Sequence, residues 1–320
     1  MSLILTRGDI AALMRPADYL TAAESAFRAL GDGTAELPPP LAIHGEHGAF
    51  HAKGAAIHLD RPWVAVKLNG NFPGNPASGL PTIQGAILLC DGADGSLLAI
   101  MDSIEVTVRR TAAATALAAR HLARPEAAVV TLCGCGAQAV AQLEALRDVL
   151  PLTGGYCVDS DPGRTAAIAR QTGLTATADL AAATRASDVI VTCTTATQPF
   201  LSSDMVRPGT FIAAVGADAP HKSEVDAGLM AKSLVVVDSL DQCLAMGDLH
   251  HTIAAGAMAP EGVHAGLSEL VSGTKRGRTD MEQVTVFDST GLGVQDVTAA
   301  AMIFDRARIA GVGLTIDLAA

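Results

Sequence analysis

Apolar positions at helical spacing open the chain: Ile10, Leu13, Met14, Leu20, Ala23, Phe27 and Leu30 predict an amphipathic helical stretch over residues 8–31, ended by Gly31-Asp32-Gly33. After Pro38-Pro39-Pro40 the pattern shortens. Residues 41–70 read as short strands, among them Phe50-His51-Ala52-Lys53 and Trp63-Val64-Ala65-Val66-Lys67-Leu68, and a loop is expected from Asn69 to Pro81. Two apolar runs, 85–90 and 96–101, flank Asp91-Gly92-Ala93-Asp94-Gly95 and predict a hairpin, so the first third is α+β. The alanine-rich stretch Thr111 to Leu122 predicts a bridging helix. From there the texture changes: apolar runs at 128–133, 155–159, 188–193, 210–215, 234–238 and 284–287 alternate with helical segments, as in a parallel doubly wound sheet. Residues 293–312 form a last helix that can cross back to the first domain.

Composition narrows the classes. With 49% hydrophobic and 17% charged residues, the 320-residue chain has the makings of a large core and room for two domains. A net charge of −11 argues against nucleic acid or an anionic membrane as a main partner, since both select basic surfaces. Small molecules fit better. No apolar run reaches bilayer length and Met1-Ser2-Leu3-Ile4-Leu5-Thr6-Arg7 lacks a signal-peptide layout, so a cytoplasmic protein is expected. The six cysteines are scattered, mostly in apolar runs, and read as reduced and structural. Cys133 and Cys135 flank a glycine turn with no second pair at zinc-finger spacing, so no metal is expected.

The densest chemical signal is the run Ala128 to Ala139, in which a strand ends in Gly134-Cys135-Gly136-Ala137-Gln138-Ala139 and enters a helix. It fits the Gly-x-Gly-x-x-Ala phosphate loop: a tight turn, a close backbone approach to a pyrophosphate, and small-residue packing of helix on strand. Tyr156-Cys157-Val158-Asp159 then supplies an acid at a second strand end, in the order a ribose-binding acid requires. Asp159 is followed by Ser160 and Asp161 instead of a basic residue, which favours NAD over NADP. Asp159-Ser160-Asp161-Pro162 also suits a plain helix cap. Three further strand ends, Thr194-Thr195, Val215-Gly216-Ala217-Asp218 and Asp288-Ser289-Thr290-Gly291, can ring a nicotinamide, although each is also an ordinary turn composition. In the first domain, Lys67 and Arg110 can clamp a carboxylate, the alternative being two solvated surface cations. Lys53 and Arg109 add basic candidates, Arg109 pointing to solvent in one reading. His44 and His51 are candidate substrate contacts, with no partner that would complete a metal set.

Taken in order, Val66-Lys67-Leu68, Asn75-Pro76, Gly79-Leu80-Pro81-Thr82, Ile100-Met101-Asp102, Arg110-Thr111-Ala112-Ala113, the Gly134 to Ala139 loop, Val215-Gly216-Ala217-Asp218 and Phe287-Asp288-Ser289-Thr290-Gly291 resemble the ornithine cyclodeaminase and mu-crystallin family. The resemblance covers nearly the whole chain. It implies an α/β protein with a Rossmann-type NAD-binding domain, residues 121–299, and a smaller α+β substrate-binding domain, residues 1–120 joined by 300–320, that forms a homodimer through its sheet. It further implies an active site in the cleft between the domains, with Lys67 and Arg110 on the substrate carboxylate and Asp218 as the acid/base group. The cofactor set is then Gly134, Gly136, Ala137, Gln138, Asp159, Ser160, Thr194, Thr195, Val215, Gly216, Ser289 and Gly291. Two departures stand out: Pro38-Pro39-Pro40-Leu41-Ala42 lacks the arginine many members carry after the early prolines, and His51-Ala52-Lys53-Gly54-Ala55 replaces a Met-Pro-Ala segment with one bearing a cation. The expected reaction is NADH-dependent reduction of a small 2-imino acid to an L-amino acid, with iminosuccinate to aspartate as the specific candidate. The alternatives are reduction of a cyclic ketimine such as pyrroline-2-carboxylate, cyclodeamination with bound NAD, and non-enzymatic ligand binding of the mu-crystallin kind. Only 3% aromatic residues count against the last.

Overall fold

The computed structural model describes residues 1–318. The chain opens with β1 (Ser2–Leu5) and helix α1 (Arg7–Leu13), whose first turn is closed by a Thr6–Asp9 capping box. The helical stretch expected over 8–31 is two helices, because Pro16 cannot continue a helix and instead starts α2 (Pro16–Gly31). Five strands come next, β2 (Ala35–Glu36), β3 (Leu41–His44), β4 (Ala49–His58), β5 (Pro62–Asn71) and β6 (Ile83–Asp91). β7 (Leu97–Asp102) closes the hairpin and leads into α3 (Ser103–Leu122). β5 continues to Asn71, past the Asn69 at which a loop was expected, because β4 and β6 pair with it along its length.

The second half alternates strand and helix: β8 (Val129–Cys133), α4 (Ala139–Arg147), β9 (Gly154–Val158), α5 (Pro162–Thr172), β10 (Thr175–Ala176), α6 (Leu180–Arg185) and β11 (Val189–Thr192). Then come β12 (Phe211–Ala214), α7 (Ala227–Lys232), β13 (Leu234–Val237), α8 (Leu240–Ala245), α9 (Asp248–Ala254), β14 (Ala265–Gly266), α10 (Leu267–Val271) and β15 (Thr285–Asp288). The chain ends in α11 (Gly293–Ala310) and β16 (Leu314–Ile316).

Two compact units result, one of residues 1–110 with 292–318 and one of residues 111–291. The first is built on a mixed sheet in the order β16-β1-β7-β6-β5-β4-β2, with β3 also paired to β4. All of α11 belongs to this unit from its first residue, since the helix lies on β4, β5 and α2 and is buried along most of its length. Alternation on β5 sends Trp63, Ala65 and Lys67 to the covered face and leaves Val66 and Leu68 exposed. Trp63 meets Phe304 of α11 edge to face, with centroids 6.1 Å apart.

The second unit holds a sheet in the order β10-β9-β8-β11-β12-β15-β13-β14, parallel throughout. Its strands are buried on both faces, as in a doubly wound α/β layer. The winding reverses between β8 and β11, and the crevice at the carboxyl ends of these strands is where such sheets take their ligands. No helix among the described residues is long and apolar enough to cross a membrane.

Candidate functional site

Chemistry concentrates at one place in each unit. In the first, strand register sets Lys53 directly opposite Lys67 on β4 and β5. Like charges opposed across a ladder are unfavourable unless an anion lies between or beside them. Asp296, in the first turn of α11, is that anion. Lys67 Nζ lies 3.0 Å from its Oδ1 and 2.8 Å from its Oδ2. Arg110 Nε donates to Oδ1 at 3.2 Å, and Arg110 Nη1 donates to Gln295 Oε1 at 2.9 Å. Lys67 is 3% exposed, Arg110 5% and Asp296 1%, so the solvated-surface alternative for the two cations does not hold.

Local structure explains how these groups meet. Asp102 caps α3, accepting the Ile104 and Glu105 N–H groups at 3.0 Å each, which fixes the helix that carries Arg110 two turns on. Gln295 Oε1 also accepts the Leu292 N–H at 3.0 Å and so ties off the start of α11. A Cβ on Gly293 would stand 2.4 Å from the Gly54 carbonyl oxygen, so only glycine lets the helix start this close to β4. Asp296 thus sits at the positive end of α11. Burial, and then Arg110, push the Lys67 ammonium down to about 7 against the pull of Asp296. Burial raises the Asp296 carboxyl, but Lys67 and Arg110 outweigh it and hold the group below the usual carboxylate range.

The remaining first-unit candidates lie on β3, β4 and α3. Lys53 acts electrostatically on both Lys67 and Asp296. His51 is half-buried and in register with Asn69, whose Oδ1 accepts the Ser103 hydroxyl at 2.5 Å. His44 lies on β3 opposite Ala49 and is exposed. Arg109 does not simply point to solvent, because its Nε bonds Glu105 at 3.0 Å.

In the second unit a pocket of about 410 Å³ opens where the sheet reverses, lined by Gly134, Gly136, Asp159, Ser160, Thr194 and Thr195 among others. Gly134 has φ +105° and packs against the Cys193 carbonyl, the tight turn; a Cβ on Gly136 would meet nothing within 4 Å, so a ligand can approach the backbone there. Asp159 Oδ2 accepts the Cys135 N–H at 2.7 Å and Oδ1 accepts the Asp161 N–H at 2.9 Å. The residues present therefore fit a dinucleotide: an open glycine backbone beside an acid at the next strand end.

Three readings change here. Arg164 lines the same pocket, so the expectation of a ribose site without a cation is corrected: one turn of α5 brings this side chain round, 3.5 Å from Asp161. Ala137, Gln138, Val215, Gly216, Ser289 and Gly291 are not among the lining residues. The polar atoms of several strand-end candidates are taken by two buried acids the sequence reading missed. Glu224 accepts from Thr194 and Gly216. Asp238 accepts the Ser289 hydroxyl and the Thr290 and Gly291 N–H groups. Asp218 lies on an exposed loop after β12 with Lys222 Nζ 2.5 Å from its Oδ1.

Asp296 was the other omission. Its signal was present: Gln295-Asp296 interrupts the largely apolar stretch 292–304 that opens the final helix, and an acid placed so is a natural partner for a buried cation. Asp238 ends the apolar run 234–238 as Asp159 ends 155–159, whereas Glu224 had no comparable pattern around it. Replacing Asp296 by Asn leaves Arg110 buried without its counter-ion. We expect a loss of about 3–5 kcal/mol, seen as a lower urea midpoint; an unchanged midpoint would show that the cations do not depend on it.

Comparison with known proteins adds an independent line. The model of the ornithine cyclodeaminase/mu-crystallin family matches residues 1–311. An archaeal alanine dehydrogenase, a dimer with bound NAD, is 36% identical with a TM-score of 0.94, covering 99% of each chain. The Thermococcus litoralis Δ1-pyrroline-2-carboxylate reductase, in complex with NADH and L-proline, is 30% identical with a TM-score of 0.94, over 98% of this chain and 100% of that one. The iminosuccinate reductase of Paracoccus denitrificans, in complex with NAD+, is 29% identical with a TM-score of 0.89, over 99% of each chain. With a family model spanning nearly its whole length and folds this similar around NAD-bound relatives, the protein belongs to the ornithine cyclodeaminase/mu-crystallin family.

Proposed function

We propose that this NAD-dependent oxidoreductase reduces a small 2-imino acid to an L-amino acid, with iminosuccinate and L-aspartate as the specific pair. One observation carries the reading: Lys67 and Arg110 close on a single buried carboxylate, Asp296, and Lys53 stands opposite Lys67 on the neighbouring strand. Buried cations that share one carboxylate form a subsite for an anionic ligand. Arg110 and Lys67 hold the substrate α-carboxylate, which orients the imine carbon. Lys53 provides for a second carboxylate, the feature that favours a dicarboxylic substrate. NADH supplies the hydride when bound. Asp218 holds the proton on the substrate nitrogen, and Lys67, pushed down to about 7, exchanges a proton readily near neutral pH. The reductase and dehydrogenase names of the similar proteins support the reaction class.

The experiment is NADH oxidation by purified protein with oxaloacetate plus ammonium, set beside pyrroline-2-carboxylate and pyruvate plus ammonium. Turnover is expected with the first pair. Efficient reduction of the cyclic imine without it would replace iminosuccinate by a cyclic ketimine, and proline formation from ornithine with no net NADH change would point to cyclodeamination. Arg110→Ala should lower kcat/KM by about 10²–10³-fold, in line with loss of a buried charge-paired hydrogen bond. NADH affinity should stay the same; equal loss of both would remove Arg110 from the substrate.

Asp159 is proposed to take the adenosine ribose diol. Asp159→Ser then leaves Arg164 as the charged residue among those lining the pocket, so the variant is expected to accept NADPH at least about tenfold better relative to NADH. An unchanged ratio of the two kcat/KM values would exclude Asp159 from that role.

We further propose a homodimer through the open face of the first unit's sheet. Val66 and Leu68 from β5 and Leu88 from β6 share that face by register and are each more than two-fifths exposed, an apolar face that a monomer would leave in water. The archaeal alanine dehydrogenase is a dimer. Light scattering should give twice the chain mass for the native protein and one chain mass for Leu68→Glu; a native monomer would sink the proposal.

A further inference from the structure

We infer that Glu224 is a positioning residue of the dinucleotide pocket, its buried carboxylate tying the end of β11 to the end of β12 and setting the shape of the Cys193–Ala196 wall. The inference rests on the reading of the Gly134–Gly136 pocket as the NAD site. Glu224 is 0% exposed. Its Oε1 accepts both the Thr194 N–H and the Thr194 hydroxyl, each at 2.6 Å. Its Oε2 accepts the Thr192 hydroxyl at 2.7 Å and the Gly216 N–H at 2.8 Å.

The bonds continue into the pocket wall. Thr194 Oγ1 in turn accepts the Ala196 N–H at 3.1 Å, so Glu224 sets the turn that presents Thr194, Thr195 and Ala196 to the pocket. The Glu224 carbonyl accepts the Phe200 N–H at 3.0 Å and the Leu201 N–H at 3.1 Å, and Phe200 is another lining residue. Asp248 accepts the Glu224 N–H at 2.7 Å and holds the main chain from the other side. A Cβ on Gly216 would fall 2.4 Å from Glu224 Oε1, so the glycine expected to serve the cofactor is required by the carboxylate.

The site demands an anion. Each carboxylate oxygen faces one backbone N–H, Thr194 on one side and Gly216 on the other, and a backbone N–H can only donate. A glutamine in either orientation would set its NH2 group against one of them. Burial, with Asp248 adding to it, pushes the Glu224 carboxyl up to about 7 against the hydrogen bonds from Thr194 and Thr192. The other titratable groups facing it are the Cys133 thiol on β8 and the Cys193 thiol just past β11, both raised by burial and then by Glu224. Below that range the protonated form has one acceptor fewer for the four donors, and the wall loosens.

The test is the NADH dissociation constant, by fluorescence titration from pH 5.5 to 8.5, for the native protein, Glu224→Gln, Thr192→Val and Gly136→Val. Native affinity is expected to fall as pH drops through about 7. Glu224→Gln should bind at least about tenfold more weakly than native at pH 8 and lose the pH step. Thr192 does not line the pocket, so Thr192→Val should leave the high-pH affinity within about twofold while moving the midpoint upward, because the anion loses a donor. A purely structural role would not move that midpoint. Folded Glu224→Gln with native affinity across the range overturns the inference, as does an unmoved midpoint in Thr192→Val; if Glu224→Gln does not fold, Thr192→Val decides. Gly136→Val tests the pocket separately: native affinity in that variant refutes the pocket as the NAD site, whatever Glu224 does.

Discussion

The first unit is organised around an electrostatic constraint, the burial of Lys67 and Arg110 against Asp296. Removing charges from water costs several kcal/mol per ion, and Coulomb attraction repays it only when the geometry is close and the remaining donors are used. The surroundings supply that geometry. α11 reaches β4 only because Gly293 meets Gly54 backbone to backbone, and Gln295 takes both the start of its own helix and a second Arg110 donor. The opposition of Lys53 and Lys67 across the strand pair adds like-charge repulsion that the buried Asp296 carboxylate offsets.

The second unit meets a different constraint with the same means. The loops that leave the carboxyl ends of these parallel strands carry backbone N–H groups and hydroxyls that need acceptors, and a doubly wound sheet buries much of that edge. Glu224 collects the donors at the ends of β11 and β12, and Asp238 collects those after β15. What looks in the sequence like a ring of polar cofactor contacts is in large part a set of loops braced by buried carboxylates. Thr194 belongs to both descriptions, lining the pocket while bonded to Glu224.

Much of the architecture was legible because it follows from short-range physics. The strands at Val129–Cys133, Val189–Thr192 and Phe211–Ala214 announce themselves as apolar runs, and Gly134, at φ +105°, marks a turn no other residue makes as easily. The break at Pro16 and the continuation of β5 to Asn71 were less so. The first was masked by apolar spacing that runs through it, and the second is imposed by the pairing strands on either side. The two-residue strands β10 and β14 carry no pattern of their own and exist only as additions to a sheet already formed.

For the site, the sequence by itself determined which side chains bear charge and which strand ends carry glycine and acid: Lys67, Arg110, Gly134, Gly136 and Asp159 can be named from one dimension because side-chain chemistry and the special conformations of glycine are local properties. Which of them are buried, and against what, only the tertiary structure decided. Val66, Lys67 and Leu68 read alike until α11 covers one face of β5 and leaves the other in water. Lys67 and Asp296 lie 229 residues apart, Thr192 and Glu224 lie 32 apart, and the pairings that join them exist because desolvated charges and donors must find partners wherever the fold brings them.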